Sequence, residues 1–306
     1  MLQRLKAAGL DVVTCNWVEP DPSDIIIDKI TAFAAEENVD SIVAVGGGSA
    51  LDSGKAVKMY LNKADSSKNI ALITIPTTSG TGAELTKSVV ITERATGKKK
   101  GAGAYETMAD LALVDPELTL GVPSKVTAAC AFDVMAHAIE STTSVFNEPV
   151  HEILAIEAVR LVKENIVECV ENGKNLEARS NMHLASTLAG ISIGNGNTHI
   201  GHVLAHAVGA VHHIPHGVCC AIFTPACLEY VADPCTKVIR KYADTLGVAC
   251  SSDDSNAVVA RKVSEAIFDL SQKVNIPTIT EYFPDVDSAC AEIIPTVMSD
   301  AGRNNC

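Results

Sequence analysis

Two short apolar runs, each closed by a chain-breaking residue, constrain the fold more than any other feature of this sequence. Ser41–Val45 (SIVAV) runs into three glycines, and Ile70–Ile75 (IALITI) stops at Pro76. Between them, Ala50–Leu61 reads as a helix. Such runs, alternating with helical patterns, are the mark of buried parallel strands covered by helices. The same alternation adds a candidate strand at Asp11–Cys15 (DVVTC), a helix over Ser23–Glu37 capped by Ser23, and a short strand at Leu111–Val114. After Pro123 the texture changes. Helical patterns with few β-branched runs follow at Ser124–Ser141, Val150–Asn172, Asn175–Gly190, His199–Gly209 and Ser255–Val274. The chain therefore divides into an α/β part, residues 1–122, and an all-helical part, residues 123–306.

Composition limits the partners. The net charge of −13 over 306 residues repels a phosphate backbone, so nucleic-acid binding is disfavoured. No segment approaches the roughly 18 consecutive apolar residues of a membrane helix. The opening MLQRLKAAGL has neither the long apolar run nor the cleavage site of a signal peptide. The ten cysteines include no CxxC, and Cys219-Cys220-Cys227 matches no common zinc spacing. Most lie in apolar stretches, as reduced thiols of a cytoplasmic protein would.

Two turns have the chemistry to hold phosphates. Val45-Gly46-Gly47-Gly48-Ser49 follows a strand and opens a helix, whose first N–H groups are available to an anion. It is neither a Walker A loop nor GxGxxG, and one glycine turn needs no ligand. The next strand, however, ends in Thr77-Thr78-Ser79-Gly80-Thr81-Gly82, which supplies four hydroxyls and two glycines. Loops at the ends of successive parallel strands face one crevice, which favours a nucleotide or dinucleotide.

The second constellation is built on histidine. Asp133 and His137 are four apart on an apolar helical pattern, hence on one face. His199, His202, His206, His212, His213 and His216 put six of the nine histidines within 18 residues. His202 and His206 again share a face. A carboxylate and imidazoles among apolar residues need partners, and the donor set suits Zn²⁺ or Fe²⁺ rather than Mg²⁺ or Ca²⁺. Spacing alone does not choose between His202 and His206. His151, His183, His199, His212 and His213 read as ordinary hydrogen-bonded residues.

These stretches resemble the iron-containing, or group III, metal-dependent alcohol dehydrogenases. GGGSALDSGKA (46–56), IPTTSGTGAE (75–84), VDPELT (114–119), FDVMAHAIES (132–141) and GHVLAHAVGAVHHIPHG (201–217) occur in family order. The microcompartment-type ethanol and propanol dehydrogenases are similar in texture. The resemblance implies a dinucleotide-binding domain over 1–122 and a metal-binding, catalytic domain over 123–306. It implies Fe²⁺, with Zn²⁺ as the alternative, held by Asp133, His137, His202 and His216. His206 would face the nicotinamide of NAD or NADP as a catalytic proton relay. Gly47, Gly48 and Ser49 would contact cofactor phosphates, with Asp52 near the nicotinamide end. Thr77, Thr78 and Thr81 would line the adenine and ribose, with Thr86, Ser88 and Lys100 nearby. The metal would act as a Lewis acid on the oxygen of a small primary alcohol or aldehyde, in a homodimer or higher homo-oligomer. Against the family pattern, the usual first strand–turn–helix segment is missing, and the chain stops where the family adds a helix. An exposed sheet edge is the expected consequence. Two other readings compete: a dehydroquinate-synthase-like lyase using metal and NAD, and an inactive metal-binding protein.

Overall fold

A computed structural model of the chain describes residues 2–95 and 98–306, with the backbone alone at 98–100, 102, 301 and 303. The first part runs α1 (Leu2–Ala7), α2 (Asp24–Glu36), β1 (Ser41–Gly46), α3 (Gly48–Ala64), β2 (Ala71–Pro76), β3 (Ser88–Glu93), β4 (Lys98–Gly103) and β5 (Leu111–Ala112). Helix α2 starts where Ser23 accepts a hydrogen bond from the Ile26 N–H, and it buries Ile27, Ile30 and Ala34. β1 and β2 pair in parallel from Ser41↔Ala71 to Gly46↔Pro76. β2 pairs in parallel with β5, giving the order β1-β2-β5. α3 crosses back between β1 and β2 and buries Leu51, Ala56, Val57 and Leu61 against Ala44, Ile70 and Leu72.

The remaining elements are helices: α4 (Ser124–Thr143), α5 (Pro149–Glu171), α6 (Leu176–Gly196), α7 (Ile200–His212), α8 (His216–Tyr230), α9 (Ala232–Leu246), α10 (Asn256–Lys273), α11 (Ile279–Tyr282) and α12 (Val286–Ser299). α4 is buried at every residue from Ala131 to Thr143. A helix apolar on most sides belongs in the middle of a bundle, and α5, α6 and α8 surround it. No single helix among the described residues is long and apolar enough to cross a membrane.

The backbones of the two parts approach closely at Gly82. Gly82, in the loop after β2, has φ +58°, and a Cβ there would lie 2.5 Å from Gly190 Cα in α6. Only glycine on both sides permits that approach.

Several expectations need correction. Asp11–Cys15 forms no ladder; its Cys15 packs beside Trp17 and Val18 on the α2–α3 cluster, but no described strand runs alongside to pair with it. The strand expected over Leu111–Val114 is two residues long. The antiparallel β3–β4 hairpin was not foreseen, because KKKGAG has no apolar alternation. α9 was not foreseen; its Pro234 lies in the helix's first turn, where a missing N–H costs nothing. Among the described residues β1 is an outer strand of the three-stranded sheet, with Val43 and Val45 exposed.

Candidate functional site

Three helices bring the histidines together. α4 presents Asp133, His137 and Glu140 on one face, α7 presents His202 and His206, and α8 begins with His216 directly after Pro215. Asp133 Oδ1 lies 3.3 Å from His216 Nε2, 3.5 Å from His137 Nε2 and 3.6 Å from His202 Nε2. The rings of His137 and His202 stack at 4.7 Å. Among the described residues, the donor atoms of Asp133, His202, His216 and Cys220 all lie within 4.8 Å of one another. His137 stands beside this group rather than in it. His206 also stands outside it, with its ring stacked on His216 at 5.0 Å and edge-on to His202 at 6.0 Å.

The electrostatics suit a cation. Burial alone would push Asp133 up, but His137, His216 and His202 around it hold its carboxyl well below the usual range. Burial holds His137 down to about 4, hence neutral. Burial also acts on His202, but the flanking carboxylates Glu140 and Asp133 overcome it and raise His202 to about 10. His202 Nδ1 is hydrogen-bonded to Glu140 Oε1 at 3.0 Å, whereas its buried Nε2 has no hydrogen-bond partner. Burying such an atom is costly unless something meets it. A divalent ion shared with Asp133 and His216 would satisfy Nε2 in place of a proton. The residues therefore fit a metal of the Fe²⁺ or Zn²⁺ type.

Glu140 was not singled out from sequence, although it is three residues from His137 on the same face. It is 1% exposed and also accepts the His199 backbone N–H at 2.5 Å. Cys220 was missed as well, one helical turn after His216. The remaining histidines have local roles: His151 completes a capping box with Glu148, His183 bonds Ser79 Oγ at 2.9 Å, and His199 bonds Thr143 Oγ1 at 2.7 Å. His212 sits 3.6 Å from Glu292, and His213 ends α7 with φ +55°.

The two glycine loops are also adjacent. Gly47 is the N-cap of α3 without a side-chain cap bond, so the helix's first N–H groups are not used by a capping side chain. A Cβ on Gly48 would lie 2.7 Å from Thr81 Cγ2, and one on Gly47 3.2 Å from Thr78 Oγ1. The Ser49 hydroxyl accepts from the Asp21 N–H at 3.3 Å, and the Thr77 N–H donates to Gly46 O at 2.9 Å. Thr77, Thr78 and Thr81 are half-buried.

Asp52, Thr86 and Ser88 are gathered by a residue the sequence reading passed over. The fully buried Lys55 donates to Thr86 Oγ1 at 3.1 Å, Ser88 O at 3.0 Å and Asp52 Oδ1 at 3.4 Å. Asp52 Oδ2 accepts the Val90 N–H at 2.9 Å. Burial raises Asp52 and lowers Lys55, each restrained by the other's charge. The side chain of Lys100 lies outside the described residues. Val90 and Gly101 of the hairpin line a cavity of about 330 Å³ together with His202, His206, Asn197 and Thr198. Asp52 thus adjoins the strand that faces the histidines.

A family profile described as iron-containing alcohol dehydrogenase matches residues 1–116, and its C-terminal counterpart matches residues 127–299. The chain belongs to the iron-containing alcohol dehydrogenase family. It is 32% identical over 295 residues to a choline dehydrogenase of Bacillus subtilis, covering 92% of this chain and 73% of that protein. It is 33% identical over 291 residues to a 1,3-propanediol dehydrogenase of Citrobacter freundii, covering 90% and 74%. The structure of an alcohol dehydrogenase from Oenococcus oeni superposes with a TM-score of 0.91 at 33% identity, covering 99% of this chain and 82% of that one. As an iron-containing alcohol dehydrogenase, the chain is a metal-dependent, NAD(P)-linked oxidoreductase of small alcohols or aldehydes, with Fe²⁺ as its metal.

Proposed function

We propose that the enzyme interconverts a small primary alcohol and its aldehyde at the cavity beside His202 and His206, with the ion held by Asp133, His137, His202 and His216. The observation that carries this is the unpartnered, buried His202 Nε2 facing Asp133 Oδ1, next to His216 and His137. When bound, the ion would supply Lewis acidity for the substrate oxygen, and the nicotinamide a hydride acceptor or donor. The chain's own residues do the rest. Asp133 supplies negative charge to the site, and Glu140 fixes the orientation of His202. His206, half-buried and lining the cavity, carries the hydroxyl proton, a role suited to imidazole near neutral pH.

On the cofactor side, Gly47, Gly48 and Ser49 offer the α3 N-terminus to phosphates, and Thr77, Thr78 and Thr81 line the ribose and adenine. Lys55 holds Asp52, Thr86 and Ser88 in place. In this reading residues 1–122 form the cofactor domain and 123–306 the metal domain, assembled as a homodimer or higher homo-oligomer. Ten free cysteines favour a reducing, cytoplasmic setting.

The test compares His202→Ala with His206→Ala. His202→Ala should lose metal and activity together. His206→Ala should keep its metal and lose activity by roughly 10- to 10⁴-fold with an altered pH–rate profile. A metal-free His206 variant beside a metal-loaded His202 variant would reverse the assignment.

A further inference from the structure

Cys220 lies one turn after His216 on α8, so both side chains leave the helix on the same face. Its Sγ is 3.6 Å from His216 Nε2 and 3.7 Å from Asp133 Oδ1. These are the separations that ligands of one ion require. With metal–nitrogen and metal–oxygen bonds of about 2.1 Å and a metal–sulfur bond of about 2.3 Å, neighbouring donors of one ion lie about 3 to 3.8 Å apart. The Asp133 carboxylate makes such separations with His216, His137 and His202, at 3.3, 3.5 and 3.6 Å. The donors of Asp133, His202, His216 and Cys220 also fall within 4.8 Å of one another, and the unpartnered His202 Nε2, on a side chain 4% exposed, is among them.

A buried cysteine is ordinarily a small apolar residue. Cys219, its neighbour, fits that description: it is fully buried, with its sulfur 3.9 Å from Ile214 O. Cys220 differs in having both close polar contacts inside the metal cluster.

We propose that Cys220 is a further donor of the metal centre, added to Asp133, His137, His202 and His216. The proposal rests on the reading of those four residues as ligands. On coordination the S–H bond breaks, the proton leaves to solvent and the sulfur lone pair binds the ion; no electron is transferred. A soft thiolate added to oxygen and nitrogen donors raises affinity for Zn²⁺ relative to Fe²⁺. Cys220 therefore acts as a specificity determinant for the metal.

The test is Co²⁺ reconstitution of the metal-free, cofactor-free full chain, read by absorption. The wild type should show the near-ultraviolet thiolate-to-cobalt charge-transfer band as well as the visible d–d bands. Cys220→Ser and Cys220→Ala should keep the d–d bands and lose the charge-transfer band, and Cys219→Ser should keep both. In competition assays, removing the thiol should weaken Zn²⁺ more than Fe²⁺, by on the order of 10-fold or more, since loss of even an outer partner costs that much. Wild-type protein that binds Co²⁺ without the charge-transfer band overturns the role of Cys220 and leaves the other ligands standing. That spectrum decides the matter even where a Cys220 variant does not fold. Failure of the wild type to bind Co²⁺ at all overturns both readings.

Discussion

Glu140 lies beside the proposed metal ligands and is hydrogen-bonded to one of them, His202. Burial pushes its carboxyl up, but His202 opposite it, with hydrogen bonds from His202 and the His199 N–H, holds it below the ordinary range. It therefore stays anionic and fixes which nitrogen of His202 faces Asp133. Glu140→Gln keeps the shape and removes the charge. Metal affinity should fall by roughly 10- to 100-fold while the circular dichroism spectrum is unchanged; chelator competition with undiminished affinity would remove Glu140 from this role. His183 gives a pH prediction away from the metal. Burial holds it down to about 4, only partly offset by Asp115, against an ordinary 6.5. The unfolded chain thus takes up a proton near pH 6.5 that the folded chain refuses. Its contribution to stability is complete above that pH and is lost progressively as pH falls towards about 4. Denaturant titrations should show His183→Gln losing less stability than the wild type between pH 6.5 and 4.

Among the elements, α6 carries a close contact that joins the loop after β2 to the helices. Gly190 in this helix faces Gly82, and a Cβ at Gly190 would lie 2.6 Å from Gly82 O and 2.8 Å from its Cα. Backbone cannot swing aside as a side chain does, so Gly190→Ala should force the 77–86 loop away from α6. The expected cost is about 1–3 kcal/mol, together with weakened cofactor binding measured by nicotinamide fluorescence. Unchanged stability and cofactor affinity would show that the seam is loose. Helices α2 to α7 and α10 were legible from the local pattern, some of them marked by a capping serine such as Ser23 or Ser255. α8 was not legible, because Pro225 interrupts it; in the fold the Pro225 carbonyl accepts a hydrogen bond from Ser264 in α10.

For the molecule as a whole, the ion is a tertiary cross-link, since its proposed ligands come from α4, α7 and α8. Anything that binds the folded chain alone stabilises it by mass action, by about 2.7 kcal/mol at a ligand concentration 100 times the dissociation constant. Chelation should accordingly lower the thermal midpoint, and added Fe²⁺ or Zn²⁺ should restore it. A midpoint indifferent to chelator would mean that the three helices converge without help from the ion.

The local pattern of the chain carried the alternation of strands and helices up to Pro123, the helical texture beyond it, and the residue types of both sites. Gly46–Ser49 and Thr77–Gly82 were readable because each follows a strand. Asp133 with His137, and His202 with His206, were readable because an i,i+4 spacing fixes a face. Tertiary structure alone decided what meets across elements. It set His202 rather than His206 against Asp133 and brought Cys220 to the same point. It placed Lys55 under Asp52, Thr86 and Ser88, and paired KKKGAG with β3. The physical reason is range: helical period and chain-breaking residues act within a few positions of the chain. Distances such as the one between Asp133 and Cys220, 87 positions apart, depend on how the helices pack.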